Sequence, residues 1–114
     1  MANTYKLVTK AGVTSSDVIY TPDSVTTVIL GLILGNTTTS QVTATVSLAS
    51  TTSSRAGDNN ENNQTVELNT NTPIPAGSSL ELLAGNKVVM ENNDALSVSA
   101  TGSTDVALSI MEIS

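Results

Sequence analysis

The run Val28-Ile29-Leu30-Gly31-Leu32-Ile33-Leu34 is the most apolar stretch of this 114-residue chain and decides its fold class. It is far shorter than the ~20 apolar residues that a membrane-spanning helix requires. It is also partly β-branched, holds a glycine at its centre and ends at a Gly-Asn turn signal, and these features disfavour a helix. The sequence therefore predicts a buried β-strand over residues 28–34.

Both faces of this predicted strand are apolar. Successive side chains of a strand point to opposite sides, so Ile29, Gly31 and Ile33 share one face, and Val28 shares the other with the leucines. A strand in an antiparallel sheet usually shows polar residues on one side. We therefore expect a second sheet to cover one face and a partner subunit to cover the other. This places Ile29, Gly31 and Ile33 at the contact of a homo-oligomer, which we expect to be a trimer.

Residues 41–48 show the clearest strand alternation. Val42, Ala44, Val46 and Leu48 are separated by threonine and serine, so the apolar side chains point inward and the hydroxyls outward. The chain holds no Phe or Trp and only two tyrosines. The core that such strands bury must therefore be aliphatic.

Shorter strand signals recur along the whole chain. They cover residues 5–9, 17–21, 64–68, 79–83, 87–90, 95–100 and 105–113, with a predicted loop at 10–12, a turn at 73–77 and hairpin turns at 84–86 and 101–104. About eight or nine short strands without helical periodicity predict an all-β fold. We expect an antiparallel β-sandwich with jelly-roll topology and no significant helix, formed as one domain by residues 1–114.

Residues 50–63 form a long polar loop within this domain. Loops of this length are uncommon in small domains and tend to be mobile or functional, and we expect this one to be mobile and dispensable for folding. Asp58, Asn60 and Asn62 place oxygen side chains at alternate positions, as a calcium loop does. An EF-hand loop then needs Gly and Glu where Asn63 and Asn69 stand. The sequence therefore predicts no metal site or cofactor, and weak cation binding by this loop stays an open alternative.

Composition excludes several classes of function. A net charge of −6 with four basic residues cannot neutralise a phosphate track, so we expect neither nucleic acid nor a membrane surface as a partner. Without His or Cys, the usual catalytic triads, most zinc sites and thiol chemistry are excluded. Asp94 and Asp105 stand where predicted strands begin, and we interpret them as turn caps on a solvated edge. The sequence therefore predicts no enzyme. The residues after Met1 show no secretion signal, which favours synthesis in a cytoplasm.

Four segments spread over most of the chain have a recognisable form. They are Ile19-Tyr20-Thr21-Pro22 before the strand that ends Leu34-Gly35-Asn36-Thr37, then Pro73-Ile74-Pro75-Ala76-Gly77-Ser78-Ser79-Leu80-Glu81-Leu82, Asp94-Ala95-Leu96-Ser97-Val98-Ser99-Ala100, and Ser109-Ile110-Met111-Glu112-Ile113. With these segments the chain resembles a group of small all-β structural proteins of tailed bacteriophages, particularly phages of marine bacteria. Proteins of that group often carry glycine before the equivalent of Asp94, whereas Asn93 stands here. Asparagine also tolerates a left-handed backbone, so this turn can be kept.

The resemblance implies a component of the virion, most directly a capsid decoration or cement protein that stabilises the head. Its partners would be the major capsid protein or another virion protein, and it would be made in the host bacterial cytoplasm. A small neck or tail accessory protein is one alternative. A carbohydrate-binding sandwich is another, but sugar sites commonly stack on aromatic faces, and only Tyr5 and Tyr20 offer one.

Overall fold

A computed structural model describes residues 3–51, 64–83 and 87–113. Within those ranges the chain forms nine β-strands and no helix. The strands are β1 (Asn3–Val13), β2 (Ser16–Tyr20), β3 (Thr26–Asn36), β4 (Val42–Ala49), β5 (Thr65–Ile74), β6 (Ser79–Leu82), β7 (Val88–Met90), β8 (Ala95–Ala100) and β9 (Thr104–Ile113). The prediction of an all-β chain is therefore confirmed. In the described ranges, no helix has the length and apolar character that a membrane span requires.

The strand order is that of a jelly roll. The first sheet runs β1-β9-β3, and both β6 and β7 pair with the far edge of β3. The second sheet runs β2-β8-β4-β5, and every pair in the two sheets is antiparallel. Neighbours in the sequence, such as β1 and β2 or β3 and β4, therefore lie in different sheets. This crossing pattern is the interleaved Greek key of a jelly roll, as the sequence predicts.

Apolar side chains from both sheets fill the space between them. From β4, Val42, Ala44 and Val46 are buried, which confirms the alternation seen in the sequence, and Leu48 packs half-buried against the same cluster. None of the buried core residues is aromatic among those described. Truncating one such side chain to alanine costs about 2–5 kcal/mol when the cavity cannot close. The core is therefore aliphatic, as expected, and it holds the outer faces of the two sheets in a fixed relation.

Two predicted hairpins are wrong. β6 pairs with Leu32 to Gly35 of β3, and β7 pairs with Thr27 to Ile29 of the same strand. They are successive pieces of one interrupted edge strand rather than partners, and the predicted turn at 84–86 lies outside the described residues. β8 and β9 also do not pair, because β8 lies in the second sheet and β9 in the first. Turn signals locate where a strand ends, but they do not decide which strand it pairs with.

Two strands extend further than their sequence patterns indicate. β1 continues through Lys10, Ala11 and Gly12, where a loop was predicted, because a β-bulge between Lys10 and Val13 keeps it paired with β9. Gly12 adopts a φ of 69° there, a conformation that glycine tolerates without strain. β5 reaches Ile74 and so includes Pro73, which an edge strand can hold because no partner needs its missing N–H. The loop predicted for residues 50–63 falls mainly on residues 52–63, outside the described ranges.

Candidate assembly surface

A bulge in β3 moves one of the predicted interface residues into the core. Ile29 pairs with Ile110 of β9, whereas Gly31 pairs with Ser109, so Leu30 is one extra residue. An extra residue reverses the alternation of faces beyond it. Ile29 is consequently 0% exposed, whereas Ile33 is 46% exposed on the outer side of the sheet. The prediction that these two isoleucines share one face is therefore wrong. Gly31 and Ile33 do lie on the same face, the outer one.

The outer face of the first sheet carries rows of apolar side chains. Directly paired residues of antiparallel strands project to the same side. The buried residues Leu108 and Ile110 of β9 point inward, so the residues that alternate with them point outward. Three rows follow from the pairing: Tyr5, Met111, Val28 and Val89; then Leu7, Ser109 and Gly31; then Thr9, Ala107, Ile33 and Glu81. We call this set of residues the apolar face.

The apolar face holds most of the large hydrophobic side chains that are exposed in the described ranges. Tyr5, Leu7, Val89 and Ile33 lie on it, and only Val18 and Val66 lie elsewhere. Scattered apolar residues on a surface need no explanation, but a contiguous patch marks an interaction site. The charged residues among its paired positions, Glu81 and the neighbouring Asp105, are confined to one end. The surface is therefore suited to losing contact with water.

Ile33 stands between two shallow depressions on this face. The larger, of about 370 Å³, is bordered by Lys10, Gly35 and Asp105, and the smaller, of about 160 Å³, by Gly31 and Ser109. A β-carbon added at Gly31 would meet no atom within 4 Å. The small residues therefore open hollows beside a protruding isoleucine, which gives the face relief that a partner can match.

The outer face of the second sheet has the opposite chemistry. Outward positions on β2, β8 and β4 are mostly hydroxyls, since Ser16 aligns with Ser99 and Thr45, and Ser97 aligns with Ser47. Thr43 extends this set, and we call these six residues the hydroxyl face. The exposed apolar residue paired into it is Val18, at 56%. The sandwich therefore presents one outer face that favours burial and one that favours water.

A polar cluster ties the two sheets together at one end. The hydroxyl of Tyr20 in β2 lies 2.7 Å from Thr27 Oγ1 in β3 and donates to Glu112 Oε2 in β9 at 2.6 Å. Lys6 Nζ lies 2.7 Å from Glu112 Oε1. Burial, and then the bond to Glu112, raise the pKa of Tyr20 to about 12. The bonds from Lys6 and then Tyr20 hold the pKa of Glu112 below its ordinary value. The tyrosine stays protonated, and both oxygens of the carboxylate already have partners, so the pair is not arranged as a nucleophile and its base. We call the bond between Tyr20 and Glu112 the clamp.

The two aspartates singled out from the sequence are backbone caps. Asp94 accepts hydrogen bonds of 2.9 Å from the N–H groups of Thr51 and Glu91, and Asp105 accepts one of 2.9 Å from Gly12. Asp94 is 2% exposed, so the predicted cap is confirmed but not its place on a solvated edge. Asn93 adopts a φ of 73°, the left-handed conformation expected of it. Within the described ranges, no three acidic, His or Cys side chains lie close enough to hold a metal ion.

Sequence reasoning missed most of the apolar face. Tyr5 and Leu7 alternate with Lys6 and Val8, so strand parity in residues 5–9 was a usable signal for them. Val89 had no such signal, because its neighbours Val88 and Met90 are apolar as well, and Met111 had none because it lies between apolar Ile110 and charged Glu112. The pairing of β9 with β1 and β3 is what brings these side chains together.

Known proteins offer little comparison. No family model matches the chain, and no curated protein matches it. It is similar to a solved structure described as "Bacillus endospore appendages form a novel family of disulfide-linked pili", with 12% sequence identity and a TM-score of 0.43. The similarity covers 96% of this chain and 85% of that one. At that TM-score the similarity supports no conclusion about this chain, whose architecture is established by its own strand order.

Proposed function

We propose that this chain is a structural protein of a bacteriophage virion, a capsid decoration or cement protein that stabilises the head without catalytic turnover. The observation that carries the proposal is the contrast between the apolar face and the hydroxyl face. A protein that coats a particle needs one surface that loses water on assembly and another that stays in water. Each 100 Å² of apolar surface removed from water contributes about 2.5 kcal/mol before the costs of association.

The fold suits this role because it is rigid between those two faces. The aliphatic core and the Tyr20–Glu112 clamp join the sheets, so little conformational entropy is lost when a preorganised surface docks. Many copies on a symmetric shell also raise occupancy through avidity. A net charge of −6 opposes non-specific association of free subunits and keeps the protein away from packaged DNA. Its partners in this proposal are the major capsid protein or another virion protein, together with further copies of itself.

The two alternatives make different demands on the molecule. A neck or tail accessory protein would use the same contrast of faces, and copy number distinguishes it: hundreds per particle for the shell, about a dozen or fewer for the neck or tail, as their symmetries require. A sugar site would use an exposed aromatic ring. The hydroxyl of Tyr20 is engaged in the cluster between the sheets, which leaves Tyr5, 73% exposed, as the remaining candidate.

Co-sedimentation with phage particles that lack the protein tests the proposal. Wild-type protein should sediment with mature heads and raise their resistance to internal pressure. Ile33→Lys, which places a charge on the apolar face, should abolish sedimentation. Val18→Lys is the matched control, because it changes an exposed valine on the opposite side of the sandwich, and it should sediment like wild type.

Two results would contradict the head assignment. Sedimentation with isolated tails or necks, but not with heads, would move the protein to the accessory alternative. Sedimentation with no particle, together with binding on a glycan array that Tyr5→Ala removes, would support the carbohydrate-binding alternative instead.

A further inference from the structure

We propose that the free protein is a two-fold dimer, and not the trimer expected from the sequence alone, in which the apolar face binds the apolar face of a second copy. The axis of this dimer runs parallel to the strands, between β9 and β3. This inference rests on the proposed function and describes the free protein: it treats the apolar face as an assembly surface that a second copy covers until the particle displaces that copy. The four strand positions across the first sheet, β1, β9, β3 and β6 with β7, make such an axis possible. It would place β1 over the partner's β6 and β7, and β9 over the partner's β3.

The first row of the apolar face matches itself under this rotation. An axis along the strands keeps each row at its own level and reverses its order. In the first row Tyr5 then faces the partner's Val89, and Met111 faces the partner's Val28, so apolar side chains meet apolar side chains. Packed sheets interdigitate side chains in this manner at a separation of about 10 Å.

In the other two rows, the protruding isoleucine and the hollow at the glycine each lie opposite a short side chain. In the third row Ile33 faces the partner's Ala107, and in the second row Ser109 faces the partner's Gly31. The protruding isoleucine therefore meets a short side chain, and the hollow beside it receives another. Complementary relief of this kind is what allows an interface core to reach the packing density of a protein interior.

The charges at the end of the face favour this axis over the perpendicular one. Thr9 is an exposed residue of β1 in the third row, and Glu81 lies in the same row on β6, at the opposite edge of the sheet. An axis along the strands brings Thr9 of each copy opposite Glu81 of the other, twice per dimer, at the rim where the carboxylate meets a hydroxyl and stays near water. An axis across the strands would press Glu81 and Asp105 against the apolar row of Tyr5 and Val28, where unpaired carboxylates lose water at a high cost.

The outer face of the first sheet, of which the apolar face forms three rows, is large enough for a specific contact. Four strands about 4.8 Å apart and four outward residues about 6.8 Å apart along each strand give roughly 500 Å² per copy. Two copies would bury about 1,000 Å², the lower bound for a specific interface. We therefore expect a reversible dimer whose population depends on protein concentration.

A charge-swap experiment on the full chain identifies the partner. Sedimentation equilibrium should show a monomer–dimer equilibrium for wild type. Thr9→Glu should raise the dimer dissociation constant by about tenfold, because it places a second carboxylate opposite Glu81 of the other copy. The double variant Thr9→Glu with Glu81→Lys should return to within about threefold of wild type, because the two introduced charges attract one another. Rescue of this kind requires that the two residues meet across a contact between copies of this chain.

Two further variants separate binding from folding. Gly31→Ala adds a methyl that meets no atom of its own chain within 4 Å, so it should melt like wild type yet weaken the dimer. Val18→Lys, on the hydroxyl side, should change neither property. Circular dichroism melting of each variant shows whether it is folded before its association is measured.

Three results would overturn the inference: a monomer at every concentration, a trimer, or a double variant that dimerises no better than Thr9→Glu alone. These outcomes are distinguishable from failure of the proposed function. A monomer that still sediments with heads would remove the dimer and leave the decoration role. A dimer that binds no particle would keep the dimer and remove the decoration role.

Discussion

The hydroxyl of Tyr20 in the second sheet donates a 2.6 Å hydrogen bond to the carboxylate of Glu112 in the first sheet. The other oxygen of Glu112 lies 2.7 Å from Lys6 Nζ. Lys6 and then Tyr20 hold the pKa of Glu112 below its ordinary value of 4.5, because both stabilise the ionised form. One charged carboxylate therefore joins three strands, and its contribution to stability depends on pH.

Acid should weaken this clamp. Because the pKa of Glu112 is lower in the folded than in the unfolded chain, its stabilising effect is complete above the unfolded pKa and is lost as the pH falls through the folded pKa. Glu112→Gln removes the charge at every pH and keeps the shape. The difference in free energy of unfolding between wild type and this variant should shrink between about pH 6 and about pH 3. Urea unfolding at several pH values measures it, and a constant difference would contradict the prediction.

Alkali should act on the other partner. The pKa of Tyr20 is raised to about 12 from 10.0, so the bond of its neutral hydroxyl contributes fully below pH 10 and is lost as the pH rises through about 12. In a Tyr5→Phe background Tyr20 is the sole tyrosine, and tyrosinate absorbance reports it alone. The folded protein should titrate well above the midpoint seen in urea. Equal midpoints in the two states would mean that the Tyr20 hydroxyl is not held by Glu112.

A buried asparagine should prove more important to stability than its position at a strand end suggests. The side-chain amide of Asn36 donates to the carbonyls of Ser40, Ile74 and Pro75 at 2.8, 2.9 and 3.2 Å, and its oxygen accepts from the N–H of Thr38. Asn36→Ala leaves these groups without partners and should cost roughly 2–4 kcal/mol. Urea unfolding should show a lower midpoint with an unchanged slope.

The neighbouring residue provides a control for that change. Thr37 is exposed, and its hydroxyl donates to the carbonyl of Ser103 at 3.0 Å. Thr37→Ala should shift the free energy of unfolding by less than about 1 kcal/mol, because water can replace an exposed bond. Equal losses for the two variants would show that Asn36 has no special role.

Sequence periodicity predicted the strands whose two faces meet different surroundings. β4 lies between β8 and β5, with Val46 in the core and Thr45 on the hydroxyl face, so its alternation is regular. Periodicity failed in β3, because the bulge at Leu30 arises from the register with β9, which no local pattern encodes. The same limit explains why the predicted hairpin of β6 and β7 was wrong. Their common partner, β3, lies more than forty residues earlier in the chain.

The candidate surface was predictable only in part, for a related reason. The composition of residues 28–34 predicted that the surface lies on the sheet that contains this apolar strand. Gly31 and Ile33 do lie on that surface. Tyr5 and Met111, however, become neighbours only through the pairing of β1 with β9. A surface built from several strands is a property of register, whereas a sequence pattern reports one strand at a time.

Removing the polar segment after β4 should leave the fold intact. The backbone N–H of Ser50 donates to the carbonyl of Gln64 at 2.8 Å, so the two ends of the segment already meet. Replacing residues 52–62 by Gly-Gly keeps Thr51, whose N–H donates a hydrogen bond to Asp94. It also closes the chain with a loop of the length found in hairpins. We expect the melting temperature to change little, because loop closure depends weakly on length. Loss of cooperative melting would show that the segment is part of the folded core.

A single methyl group should have unequal effects at two glycines. A β-carbon at Gly102 would lie 2.6 Å from Val42 Cγ1, and valine cannot turn away because it is branched at Cβ. Gly102→Ala should therefore cost about 1–3 kcal/mol, whereas Gly31→Ala, which meets nothing within 4 Å, should stay within about 0.5 kcal/mol of wild type. In a Val42→Ala background the cost at Gly102 should largely disappear, since the colliding methyl is gone. A double-mutant cycle measured by urea unfolding tests this coupling. Additive losses would mean that the connection between β8 and β9 relaxes away from β4, and that the sheets are less rigidly joined than their contacts indicate.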